Sequence, residues 1–266
     1  MARRIATAHT LRRSGLIGAA LAGALAVTAA PAQTPPAMPL SKACQPGIGA
    51  DAEQSPLPNV AAVLAKRKTL RILAMGAAPG RVSAHGGGYT ALIESMLEKA
   101  LKDVDVVMIN RGISGELAAG AALRMKNEVA LEEPDLVLWQ VGTNDALAYV
   151  PVDVFAATVK DQIDWLKAHK VDVVLVGLQF AREMVRDPHY VEIRETLRRV
   201  AAQENVIVIR FFEAMQIIDA AQQGAPEPVA EQFERDEAAY NCLAQYVARA
   251  ITLGVFAKNM PVRPAR

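Results

Sequence analysis

Between residues 70 and 209, five short runs of apolar, β-forming residues alternate with stretches long enough for helices. The runs are 70–76, 105–110 (DVVMIN), 136–142 (LVLWQVG), 171–178 (VDVVLVGL) and 206–209. The third is continuously apolar apart from Gln140, as a strand buried on both faces should be. Helical patterns occupy 58–68, 89–101, 116–129, 153–169, 188–203, 211–222 and 236–252. Glu116 opens one of them and suits the dipole there, and Pro188 stands just inside the start of another. A strand–helix alternation with apolar strands is solved by a parallel sheet with helices on both faces. The expected fold is therefore α/β, a three-layer α/β/α sandwich on a five-stranded parallel sheet.

Three strands run into turns that carry glycine: Gly76-Ala77-Ala78, Asn110 to Gly115, and Gly142 to Asp145. In open α/β sheets, ligands sit outside the carboxyl ends of the strands. Glycine lets backbone approach a ligand closely, and the second and third turns add polar side chains. If the turns converge, their N–H groups and the Asn144 amide surround an anionic oxygen, the chemistry of an oxyanion hole. The first turn carries no reactive side chain, because Ala77, Ala78 and Pro79 offer none.

The flanks set the context. MARRIATAHTLRR is basic and free of acids, an Ala/Gly-rich apolar segment follows, and Ala30-Pro31-Ala32 fits an A-x-A cleavage site. Residues 1–32 are expected to be an export signal, with a periplasmic or secreted destination reached through the general secretory route or, from Arg12-Arg13, the twin-arginine route. Residues 33–57 are expected to be an irregular arm, 58–256 one domain, and 257–266 a basic tail. About 230 residues then remain, enough for a single core. A formal net charge of +1 gives no electrostatic case for nucleic acid, and the mature chain has no run long enough to span a membrane. Two distant cysteines and four scattered histidines offer no metal-ligand spacing, and no cofactor motif is present. Cys44 and Cys242 fit a disulfide that ties the arm to the last helix, worth roughly 4 to 5 kcal/mol in the chain-entropy account, or else two separate buried thiols.

INRGISGE and WQVGTND, following a glycine-ended first strand, resemble the second and third sequence blocks of the SGNH/GDSL hydrolase family. The resemblance covers about 70–251 and implies the flavodoxin-like strand order 2-1-3-4-5. It also implies functional positions. Gly115 and Asn144 match the family's oxyanion donors, whereas the nucleophilic serine, counted from Gly76, falls on Ala78. The family's closing Asp-x-x-His, registered from Tyr240-Asn241-Cys242, falls on Glu231 and Glu234. Alanine cannot form an acyl-enzyme, and a carboxylate is a weaker base than imidazole unless burial raises its pKa.

Substitutes are few. Ser83 and His85 stand two apart in the loop after Gly80, where they form a displaced pair or remain surface polar residues. Ser114 faces the site or forms the turn, and Asp145 lines the site or caps it. Glu231 and Glu234 meet as paired carboxylates only on a helix and otherwise form a solvated acidic loop. Arg111 is the cation beside the expected pocket, suited to an anionic or sugar ligand, or a surface residue. His169 and His189 suit helix ends, and Trp139 and Trp165 suit the core. The resemblance thus implies a family member degenerate for serine chemistry that binds a small molecule or carbohydrate ester, or a divergent ester hydrolase.

Overall fold

A computed structural model of the chain describes residues 38–44, 55–76, 88–221 and 229–257, with backbone alone at 221 and 229–237. The expected signal segment 1–32 lies outside these residues, as do Ala78, Ser83, His85 and the side chains of Glu231 and Glu234. In chain order the elements are α1 (Pro58–Leu64), β1 (Thr69–Gly76), α2 (Gly88–Ala100), β2 (Asp105–Asn110), α3 (Ala118–Glu132), β3 (Leu136–Gln140), α4 (Thr143–Leu147), α5 (Val152–Ala168), β4 (Asp172–Val176), α6 (Pro188–Gln203), β5 (Ile207–Ile209), α7 (Phe211–Ala221) and α8 (Val229–Phe256).

All pairings are parallel, in the order β2-β1-β3-β4-β5. The chain moves outward in opposite directions from β1 and β3, so their carboxyl ends form the switch point at which such sheets leave a crevice. Period-two alternation divides the core. Leu70, Ile72, Leu136, Leu138, Val174, Val176, Ile207 and Ile209 face one cluster with residues of α1, α2 and α8. Leu73, Met75, Val137, Trp139, Val173, Leu175 and Val208 face the other, with α3, α5 and α6. Each fully buried Leu, Ile or Val contributes about 1.5–3 kcal/mol, and both faces of every central strand are used.

Local chemistry sets the element ends. Asp187 caps α6 by accepting the Tyr190 N–H at 2.8 Å, and Pro188 follows at the first helical position. Glu133, in the left-handed region, closes α3 just before Pro134. At the amino edge of the sheet, Asp172 accepts from the N–H groups of Asn59 and Val60, each at 2.9 Å, and from the Asn59 amide at 2.8 Å, capping α1 from a distance of more than one hundred residues in sequence.

The arm is fastened to α8. Cys44 and Cys242 form a disulfide, their Cα atoms 5.3 Å apart, so the paired alternative holds and the separate thiols do not. Beside it the Tyr246 hydroxyl donates to the Cys44 carbonyl at 2.6 Å, and the Ser41 N–H donates to Gln245 Oε1 at 2.8 Å.

Three local expectations are corrected. The Gly142–Asp145 turn is the start of a short helix, α4, because Gly142 adopts φ +103° and lets the chain wind at once. The helix opened by Glu116 starts at Ala118, and the Glu116 carboxylate pairs with Arg124 two turns on. The last helix begins at Val229, so Glu231 and Glu234 lie on helical backbone and the solvated loop is replaced. A run of helix formers, VAEQFERDEAA, continues the apolar pattern of 239–251 toward the amino end without a breaker. Among the described residues no helix is long and apolar enough to cross a membrane.

Candidate functional site

Gly76 ends β1 at φ +89°, and a β-carbon there would lie 1.9 Å from the Gln140 carbonyl oxygen. Only glycine lets β1 and β3 meet at this point, so β1 ends directly beside the end of β3. Beyond β2 the chain keeps pairing with β1: the N–H of Arg111 donates to Ala74 O at 2.8 Å and that of Ile113 to Gly76 O at 2.9 Å. Asn110 Oδ1 accepts the Gly112 N–H at 3.0 Å and turns the chain toward Gly115. Gly115 is exposed, at φ +79°, with open space where a side chain would stand.

The second and third turns are clamped together. Asn144 Nδ2 donates to the Glu116 carbonyl at 3.0 Å, which leaves the second amide hydrogen for another acceptor. Asp145, 2% exposed, accepts the Ala118 N–H at 2.9 Å and so caps α3 across the gap. Burial pushes the Asp145 carboxyl above its ordinary pKa, and the N–H groups of Ala118, Gly142 and Asp145 itself pull the other way. Glu116 is held by Arg124, whose Nε and Nη2 reach its two carboxylate oxygens at 2.9 and 2.7 Å. Gly115 and Asn144 thereby stand at one end of the sheet.

Other candidates go elsewhere. Arg111 turns its guanidinium to Glu128 at 3.2 Å and Glu132 at 2.6 Å on α3. Ser114 is exposed in the turn. Asp145 is buried and caps α3. Trp139 is wholly buried, while Trp165 stacks on His169 with centroids 3.9 Å apart. His189 stacks on Tyr149 at the start of α6. The described residues contain no group of three or more His, Cys, Asp or Glu poised for a metal.

The structure adds residues that sequence reasoning missed. Gln179, just past β4, joins three elements: its N–H donates to Thr143 Oγ1 at 3.0 Å, its carbonyl accepts from the Tyr190 hydroxyl at 2.6 Å, and its Nε2 donates to the Tyr240 hydroxyl at 3.2 Å. Burial pushes the Tyr190 phenol up to about 12. Tyr240 lies between Tyr89 and Phe211, with centroids 5.7 and 5.6 Å away. Gln140 is 2% exposed, and neither its Oε1 nor its Nε2 has a hydrogen-bond partner among the described residues. An amide buried this way costs about 1–3 kcal/mol on mutational scales. One signal for it was available: a lone polar residue inside an otherwise apolar strand.

A five-stranded parallel sheet in this order, with a glycine-ended β1 and an Asn144-bearing turn after β3, defines an SGNH-hydrolase-like α/β/α protein. The chain belongs to the Non-GDSL lipase-like family, whose model matches residues 43–257. It is 29% identical over 126 residues to esterase TesA of Pseudomonas aeruginosa, a match covering 47% of this chain and 61% of that protein. It is 30% identical over 98 residues to an arylesterase of Vibrio mimicus, covering 35% of this chain and 49% of that one. The matches thus span about half to three fifths of these relatives. The crystal structure of the acetylxylan esterase Axe2 from Geobacillus stearothermophilus shares the fold, with a TM-score of 0.53 at 19% identity over 68% of this chain and 94% of that chain.

Proposed function

We propose that this protein is an exported member of its family that binds a small acyl ester or carbohydrate ester at the carboxyl edge of the sheet without ordinary serine ester hydrolysis. The observation that carries this reading is the residue two after Gly76. Gly76 ends β1 beside Gln140, and counting from it places Ala78 where the resemblance implies the nucleophile. The base position is Glu234, and no histidine follows His189 in the chain. Loss of nucleophile or base from such a unit costs about 10⁶ in rate, so a retained oxyanion site alone supplies only residual catalysis. The Gly115 turn and the Asn144 amide, held by Glu116 and Asp145, support binding of a carbonyl or anionic oxygen. The basic leader and its A-x-A site support export.

The relatives' descriptions as esterases favour a second reading, a divergent ester hydrolase with a displaced nucleophile such as Ser83 beside His85. Hydrolysis of short aryl esters separates the two. The expected result is no turnover above background by the unmodified protein, none with Ala78→Ser, and a gain with Ala78→Ser/Glu234→His. Turnover by the unmodified protein that disappears in both Asn144→Ala and Ser83→Ala establishes the second reading and ends the first.

A further inference from the structure

We infer that Arg194, Arg198 and Arg210 form a binding site for a small monovalent anion of chloride size, set where α6, β5 and α7 meet. On α6, Arg194 and Arg198 stand four residues apart and so share one face of the helix. Arg210 follows β5 directly and precedes α7. All three line one cavity of about 10 Å³, room for a single small ion or water molecule. Leu178, Leu197 and Val208 give it apolar walls, and the first turn of α7 closes it.

Three observations point to an anion. First, the Nε atoms of Arg194 and Arg210 are buried and have no hydrogen-bond partner among the described residues. Buried polar atoms in a folded protein are paired, and a charged donor left unpaired costs more than a neutral one. Guanidinium groups donate and never accept, so their complement is an acceptor that carries charge. Second, the guanidinium groups outnumber the carboxylates that meet them. Glu195 pairs with Arg198 at 3.0 Å and lies 3.6 Å from Arg194 Nε, and Glu213 lies 3.5 Å from Arg198. Arg210 has no carboxylate partner among the described residues. Three cations against two acids leave one positive charge over, which one monovalent anion neutralises. Third, Phe211, Phe212 and Glu213 line the same cavity, and the first-turn N–H groups of a helix have no acceptor within it. The Phe212 ring also fixes Arg194, whose guanidinium carbon lies 4.2 Å from the ring centre.

This site stands apart from the glycine turns after β1, β2 and β3 and does not depend on the reading of the ester pocket. The test compares thermal melting of the full chain in sodium chloride and in sodium gluconate at matched ionic strength, with the ³⁵Cl resonance linewidth as a second readout. The expected result is a saturable rise in melting temperature of about 2–4 °C in chloride alone, a chloride line broadened by the protein, and loss of both in Arg210→Gln. Arg210→Lys keeps the charge but not the buried Nε, and should weaken chloride binding tenfold or more; it serves if the glutamine variant misfolds. Equal melting in the two salts with an unbroadened line overturns the inference and leaves a water molecule to meet these donors. A chloride effect that survives in both Arg210 variants also overturns it, because the ion then binds elsewhere. Displacement of chloride by phosphate at a lower concentration overturns the assignment to a small monovalent ion.

Discussion

The two edges of the sheet use the same residue types to different ends. At the amino edge Asp135 and Asp172 are buried, and their oxygens are engaged: Asp135 by the Arg71 N–H at 2.9 Å and the Arg67 guanidinium, Asp172 by the first turn of α1. At the carboxyl edge Asp145 likewise caps a helix, yet the turns there carry three glycines at positive φ, Gly76, Gly115 and Gly142, and the Gln140 amide has no partner among the described residues. Left-handed backbone occurs at both edges: Asp103, Glu133, Lys170 and Asn205 adopt positive φ in the turns that lead into β2, β3, β4 and β5. The difference is that after β1, β2 and β3 the positive-φ residues are glycines, which allow close backbone approach. The amino edge commits its buried carboxylates to capping and pairing within the fold, whereas the carboxyl edge gathers the glycine turns on which the proposed ligand site is built.

Substitutions should separate the edges in this order. Gly76→Ala has the largest effect, because a methyl would overlap the Gln140 carbonyl at a backbone angle that alanine avoids. A loss of about 4 kcal/mol or more is expected in urea unfolding. A loss below about 1 kcal/mol would show that β1 and β3 part easily at the switch point. Asp172→Ala comes next: it leaves the N–H groups of Asn59 and Val60 without their acceptor, at about 2–3 kcal/mol, with ligand binding unchanged. Impaired binding at full stability would place function at the wrong edge.

Asp145→Asn has the smallest effect and a definite pH dependence. The folded carboxyl has a raised pKa, so the native state retains its proton after the unfolded chain has released it. That contribution is fully present below the unfolded pKa of 3.8 and is lost as pH rises through the folded value. Asparagine does not titrate, so the difference between variant and parent should move in the variant's favour from acid to neutral pH. Paired denaturation curves across that window check it, and a difference independent of pH would remove the desolvation account.

Much of this was legible in the chain itself. Apolar runs of strand length between helical stretches specify a parallel sheet, because both faces of each strand must be covered. DVVMIN and Pro188–Gln203 were read to their observed bounds, since β-branched runs, Asn110, Pro188 and Asp187 mark ends locally. The last helix extends seven residues further toward the amino end than expected, because VAEQFER contains no glycine or proline to stop a helix that propagates one hydrogen bond per residue.

What the sequence by itself determined is therefore the strand–helix order, the layers, the family resemblance and, with only two cysteines, the partners of the disulfide. Tertiary structure alone decided that Arg111 turns to Glu128 and Glu132, that Asp145 reaches across to cap α3, and that Gln140 is buried with no hydrogen-bond partner among the described residues. The physical reason is range. Strand and helix formation follow from neighbours within a few residues, whereas the bonding of a polar side chain depends on groups that only packing brings together. Asp145 meets Ala118 across 27 residues of chain, and Gln179 meets Tyr240 across 61.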